Sequence, residues 1–250
     1  GGESLWIGGS GLTNEDIPEN LEPEIDKALK EHGCTKVSLT SADIDGFYFG
    51  FSNRTIWPLF HYFLEYSEFE LSFWDSYKAV NQKFADAILA KADDDDIIWV
   101  HDYQLMLVPQ MVKAKRPKAT IGFFLHIPFP SYEIFRTLPW REEVLEGLLG
   151  ADLIGFHTYD YERHFLSSVR RLLGLDVSFN DIYLKDRVIK VDSFPMGIDY
   201  NKFHEAAKKS VALQGIDRRC PAKALRVRRR QRPRRPAQGG IETITFLSPV

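Results

Sequence analysis

The stretches "DDIIWVHDY" (95–103) and "FLHIPFP" (124–130) each carry a short apolar run straight into a histidine. Runs of four to six apolar residues without polar alternation are what strands buried on both faces need. Between them the chain turns to helical spacing. Phe73, Tyr77, Val80, Phe84, Ala87 and Ile88 recur at steps of one, three and four and predict a helix over 73–92. Strands are expected at 4–9, 36–40, 97–100, 120–125, 153–156 and 188–191. Helices are expected at 104–115, 132–149 and 160–173, with Pro109 and Pro139 bending or dividing the first two. Strand and helix in alternation predict an α/β fold, a Rossmann-like parallel sheet with helices on both faces. Such open sheets bind ligands beyond the carboxyl ends of their strands. His101, Asp102 and His126 all fall on that edge.

Composition narrows the class. The chain has 250 residues, 44% of them apolar, enough for a sizeable core. No apolar run reaches the roughly 20 residues that cross a bilayer, and "GGESLWIGG" has no signal-peptide pattern. No membrane association is expected, and a cytoplasmic location is. The first residue is not Met, so the sequence is expected to begin inside a longer coding sequence or after processing. Cys34 and Cys220 stand far apart without metal-ligand spacing, which predicts neither a disulfide framework nor a zinc site.

The net charge of −3 hides two unlike parts. Residues 218–250 carry ten basic residues and one acid, while the remainder carries 22 basic and 34 acidic residues. "RRCPAKALRVRRRQRPRRPAQGG" (218–240) has neither helical nor strand periodicity. It reads as a solvated, disordered tail or as out-of-frame translation of GC-rich coding DNA. A nucleic-acid arm ranks last, because no aromatic side chains interleave its arginines to stack bases. The expected division is therefore an α/β domain over 1–214 and an irregular basic tail over 215–250.

Three groups of residues are candidates for chemistry. His126 leaves a buried strand with Pro128 and Pro130 behind it, which remove two backbone donors and restrict the turn. A lone histidine is usually structural, but the matching His101–Asp102 pair at a second strand end makes a shared site a fair alternative. Asp102 suits sugar hydroxyls or a base role, and equally suits the N-cap of a helix beginning near Gln104. The aromatic stretch "GFYFGFSNRTIWPLFHYF" (46–63) is too irregular and too polar to be one core helix. Its rings are either core or, with Asn53 and Arg54 between them, the wall of a carbohydrate or phosphosugar pocket. Tyr48 and Trp57 are the most exposable of them. The acidic run 93–96 reads as a solvated loop. Walker, GxGxxG, GxSxG and HExxH motifs are missing.

Taken together, "LWIGGSG", "FYFGFSNRTIWPLFHY", "DDIIWVHDYQLMLVPQMV", "IGFFLHIPFPSYEIFRTLP", "LIGFHTYDYERHFL" and "FPMGID" resemble the trehalose-6-phosphate synthase family from about Leu5 to His204. These are retaining glycosyltransferases of the two-Rossmann (GT-B) type, and the glucosylglycerol-phosphate synthases share much of the pattern. The resemblance implies the N-terminal, acceptor-side half of a GT-B fold. It implies transfer of glucose from UDP-glucose, a substrate and not a cofactor, to glucose 6-phosphate, giving trehalose 6-phosphate and UDP. Tyr48 and Trp57 would line the acceptor pocket, Tyr48 toward the phosphate. Asp102 would bind acceptor hydroxyls, and His126 would sit where the two sugars meet; no metal is implied. The family's proposed chemistry is a front-face displacement in which the departing diphosphate helps deprotonate the acceptor.

Departures from the family pattern qualify this. A first strand and glycine-rich loop expected before residue 1, and the second Rossmann domain that holds the nucleotide, have no counterpart in the sequence. Gly9 stands where the family tends to have Trp. The expectation is a chain that does not turn over alone. The other readings are a non-catalytic module that binds a phosphosugar or a synthase partner, and a product without a role. Assembly with like chains is left open.

Overall fold

The computed structural model describes residues 4–18, 20–209 and 242–244, with side chains described as far as residue 207. The chain divides into two compact units, Gly1–Pro195 with Gly240–Val250, and Met196–Gly239. In the second, a helix spans Tyr200–Lys209, its first turn held by the Asp199 carboxylate accepting from the Lys202 amide. The stretch expected to be an irregular basic tail, 215–250, lies outside the described residues except for 242–244, which form a strand.

The larger unit holds two sheets. Strands β1 (Trp6–Gly9) and β2 (Cys34–Val37) pair in parallel as a small sheet of their own. Helix α1 (Glu22–Glu31) connects them, and Lys36 on β2 ties back to its Glu22 at 2.9 Å. The main sheet has seven strands among the described residues. Its parallel core is β3 (Ile97–His101), β4 (Thr120–Phe124), β5 (Leu153–Phe156) and β8 (Val188–Ser193). At one edge β6 (Asp176–Ser178) and β7 (Asp181–Tyr183) add an antiparallel hairpin that the sequence reading lacked. At the other edge β9 (Glu242–Ile244) pairs in parallel with β3, Trp99 opposite Thr243. That corrects the expectation of irregular backbone for those three residues.

The helices follow the periodicity. Helix α2 (Leu71–Leu89) buries Trp74, Tyr77, Val80, Phe84 and Ile88, each such side chain contributing roughly 1.5–3 kcal/mol of transfer free energy. Pro139 does divide the expected 132–149 segment, into α4 (Tyr132–Phe135) and α5 (Arg141–Leu148). Pro109 does not break its helix. It occupies the first turn of α3 (Val108–Lys115), where a missing backbone donor costs nothing. Helix α6 (Tyr159–Leu173) begins at Thr158, whose hydroxyl accepts from the Tyr161 amide, and ends at Gly174 in the left-handed region. Among the described residues no helix is long and apolar enough to cross a membrane.

The aromatic stretch needs the largest correction. Residues Ile44–Ile56 form a π-helix that runs on into a short α-helix, Trp57–Phe60. Phe47, Phe51, Ile56 and Phe60, at steps of four and five, are all fully buried. Those steps suit i→i+5 bonding, so a search for 3.6-residue periodicity finds only irregularity. Gly50 makes the packing possible, because a Cβ there would lie 2.6 Å from the Phe73 ring on α2.

Candidate active site at the sheet's carboxyl edge

Register places the site. His101 stands opposite Phe124 across β3 and β4, and Phe124 opposite Gly155 across β4 and β5. Asp102, His126 and His157 therefore leave three adjacent strands at the same edge. The imidazoles of His101 and His126 approach to 2.9 Å, Nδ1 to Nε2, with their rings stacked. His157 closes the group, edge-on to both His126 and Phe124.

Asp102 does not act as the helix cap that its position allows. It precedes a 3-10 turn, Tyr103–Leu105, but its side chain makes no capping bond. Its Oδ1 accepts instead from the backbone amide of His126 at 3.1 Å, and its own amide donates to the Phe124 carbonyl at 2.8 Å. The backbone is held at φ 69°, ψ 173°, a region that only glycine enters freely. Strain of this kind persists where the surroundings over-determine it. Here two backbone hydrogen bonds to β4 and its continuation supply that determination.

The electrostatics follow from burial. Removal from water pushes the Asp102 carboxyl up, against the amides of Tyr103 and His126 that favour its anion. Burial pulls His101 down to about 4, with repulsion from His126 adding to it. His126 is also lowered, by burial first, with the attraction of Asp102 opposing and His157 assisting. Both imidazoles are thus neutral at physiological pH. One ring then donates to the other. His101 Nε2 is buried with no partner among the described residues, and a buried bare nitrogen costs less than a buried unpaired N–H. We therefore assign the proton to His101 Nδ1, donating to His126 Nε2.

The π-helix is pinned to this edge. The Tyr103 hydroxyl donates to Asn53 Oδ1 at 2.9 Å. Tyr48, partly exposed on the same helix, lies near enough for its phenol to raise the Tyr103 pKa, though burial and Asp102 do more. Beneath, the buried Tyr77 hydroxyl donates to the Tyr103 carbonyl at 2.7 Å and accepts from the Met106 amide at 3.1 Å. Trp57 is 40% exposed, but its ring contacts are with His61 and Phe63, none with the histidine group. Among the described residues no group of three His, Cys, Asp or Glu side chains is placed to hold a metal ion.

A profile described as "Glycosyltransferase family 20" matches residues 2–218. The chain belongs to that family. It is 48% identical over 216 residues to the UDP-forming alpha,alpha-trehalose-phosphate synthase 1 of Aspergillus fumigatus, a match that covers 84% of this chain and 41% of that one. Among solved structures, it is similar to a trehalose-phosphate synthase of Burkholderia xenovorans in complex with glucose-6-phosphate. That match has a TM-score of 0.65 and 29% identity, over 82% of this chain and 52% of the other. It is also similar to an E. coli protein bound with UDP-2-fluoro glucose, with a TM-score of 0.69 and 33% identity, over 86% of this chain and 47% of the other. The chain thus spans about half the length, or less, of the relatives it matches.

Within this family-20 chain, Asp102 and His126 meet as the strand ends suggested. His157 escaped the sequence reading, although "LIGFHTYD" carries the same signal, a histidine directly after a buried strand. Glu162 on α6 escaped it too. It is only 1% exposed, and neither carboxylate oxygen has a hydrogen-bond partner among the described residues. Burial first and the nearby Asp192 second raise its pKa, with the Ser193 hydroxyl near enough to oppose them. No sequence pattern marks such a group, because an acidic residue in the first turn of a helix ordinarily faces water.

Proposed function

We propose that this chain is the acceptor side of a trehalose-6-phosphate synthase, whose whole-protein reaction moves glucose from UDP-glucose to glucose 6-phosphate with retention. The observation that carries the reading is the Asp102 carboxylate, kept at a strained strand end within a family-20 chain. The amides of His126 and Tyr103 favour its anion, and the lone pairs they leave over would accept from sugar hydroxyls. His126, neutral and fixed by His101, presents the remaining face of its ring where donor and acceptor glucose would meet. Tyr48 and Trp57 would line the acceptor, the phenol toward its phosphate. Structures of relatives bound to glucose 6-phosphate and to a UDP-glucose analogue support both substrates.

Catalysis in this reading rests on positioning and on stabilising the leaving diphosphate. Asp102 and His126 orient the acceptor hydroxyl toward the anomeric carbon, and the departing diphosphate takes its proton. The 250 residues alone are expected to bind glucose 6-phosphate without releasing UDP. Calorimetric titration with glucose 6-phosphate tests this. Saturable binding that weakens at least tenfold in Asp102→Asn supports the assignment, whereas binding indifferent to that change overturns it. UDP release that depends on glucose 6-phosphate and is lost in Asp102→Ala would overturn the expected inactivity. Preference for glycerol 3-phosphate would redirect the assignment to the glucosylglycerol-phosphate synthases.

A further inference from the structure

A cleft lies between α4 and α6, lined by Ser131, Tyr132, Glu133, Arg163, His164, Ser167 and Arg171. Its volume is about 270 Å³. None of these residues belongs to the group formed by Asp102, His101, His126 and His157. Three features concern hydrogen-bonding groups that the fold positions without consuming, the arginines among them being more than half exposed.

The first is Arg171. Its guanidinium lies over the Tyr132 ring, 4.7 Å from the centroid, and its carboxylate neighbour, Glu133, is 3.8 Å away. Among the described residues it makes no hydrogen bond. The stack therefore fixes the plane of the group while leaving its donors free. Glu133 is shared with Arg136 at 3.5 Å, so its charge is divided between two arginines. Arg163 donates one long hydrogen bond, to Asp160 at 3.5 Å, and has no other ion pair among the described residues. Charge-assisted bonds of full strength close to about 2.7–2.9 Å, as Lys113 and Asp152 do here at 2.8 Å. The arginines of the cleft are held near carboxylates but not consumed by them.

The second feature is Ser131. It stands at the N-cap of α4, where a serine hydroxyl ordinarily accepts from the helix, yet it makes no capping bond. The third is Ser167, whose hydroxyl makes no hydrogen bond among the described residues, while that of its neighbour Ser168 donates to the His164 carbonyl. His164 is oriented by its Nδ1–H, which donates to the Phe129 carbonyl at 3.1 Å. Both arginines, both serines and His164 line the one cleft.

We propose that this cleft is a binding site for a phosphate group, inorganic phosphate or a small phosphate monoester. Planar guanidinium forks match tetrahedral oxyanions in pairs, and serine hydroxyls complete the oxyanion's shell. None of the residues lining the cleft is among those assigned to the acceptor, Tyr48, Trp57, Asp102 and His126.

Calorimetric titration of the full chain with inorganic phosphate, at constant ionic strength, tests the proposal, with circular dichroism as the check on folding. Saturable binding is expected, weakened at least tenfold in Arg171→Ala and abolished in Arg163→Ala/Arg171→Ala. It should persist in Asp102→Asn, which alters only the acceptor site. Titration with glucose 6-phosphate distinguishes free phosphate from a monoester: two classes of site, one of them lost in the arginine variants, would identify the monoester. Failure to see saturable phosphate binding, or binding that survives in the folded double-arginine variant, overturns the proposal.

Discussion

His126 donates its backbone amide to Asp102 Oδ1 at 3.1 Å, and so the end of β4 holds the carboxylate at the end of β3 in a strained conformation. The cost of such a conformation is of order 1–3 kcal/mol. Glycine relieves it. Asp102→Gly is therefore expected to raise stability by about 1–3 kcal/mol while reducing glucose 6-phosphate binding at least tenfold. Urea denaturation and calorimetry on the same preparation check the pair. A variant less stable than the parent would show that the carboxylate's hydrogen bonds outweigh the strain.

The same edge titrates on the acid side. His101 is held at about 4 in the fold against 6.5 as its ordinary value. The unfolded chain therefore binds more protons between those pH values, and this residue's contribution to stability falls as pH drops from about 6.5 to 4. Above that window the contribution is complete, and below it no further change comes from this group. His101→Asn should flatten the slope of unfolding free energy against pH across the window. An unchanged slope would place the titration elsewhere.

Glu162 has the opposite sign. Its folded pKa is raised above 4.5, so the fold prefers the protonated form. Its contribution is most favourable below the unfolded value and is lost as pH rises through the folded one. Glu162→Gln keeps the shape and removes the charge. Melting temperature at pH 7.5 should rise, corresponding to about 1 kcal/mol or more, and the difference from the parent should vanish toward pH 4. A fall in melting temperature at neutral pH would mean that the ionised carboxylate has a partner.

Tyr77 links the core to the site. Tyr77→Phe leaves the Tyr103 carbonyl and the Met106 amide without their buried partner, at a cost of about 1–3 kcal/mol. Because Tyr103 follows Asp102 directly, the loss should also loosen the strained turn and weaken glucose 6-phosphate binding. Denaturant midpoint and titration separate the two effects. A drop in stability with unchanged binding would show that the turn is held from β4 alone.

Much of this site was legible before any coordinates. Apolar runs too short for helices must be buried strands, alternation with helices makes them parallel, and parallel strands present their carboxyl ends together. His101, Asp102 and His126 follow from that reasoning, and His157 follows from it as well once β5 is treated like its neighbours. The π-helix was not legible, because steps of four and five match neither periodicity that sequence reading tests. What Asp102 does with its carboxylate was also undecided. A helix cap and a contact across to the next strand require the same residue at the same place, and only the register of β3 on β4 chooses between them.

Local pattern and residue chemistry thus determined the sheet, its direction and the three polar groups first found at its edge. Tertiary structure alone decided which hydrogen bonds those groups keep and which they leave open. It also decided which carboxylate, Glu162, is sealed from water, and which arginines stand beside a cleft with donors unspent. The reason is physical. Strand and helix formation follow periodicities written along the chain, whereas burial and pairing of a polar atom depend on what packs against it from segments far away in sequence.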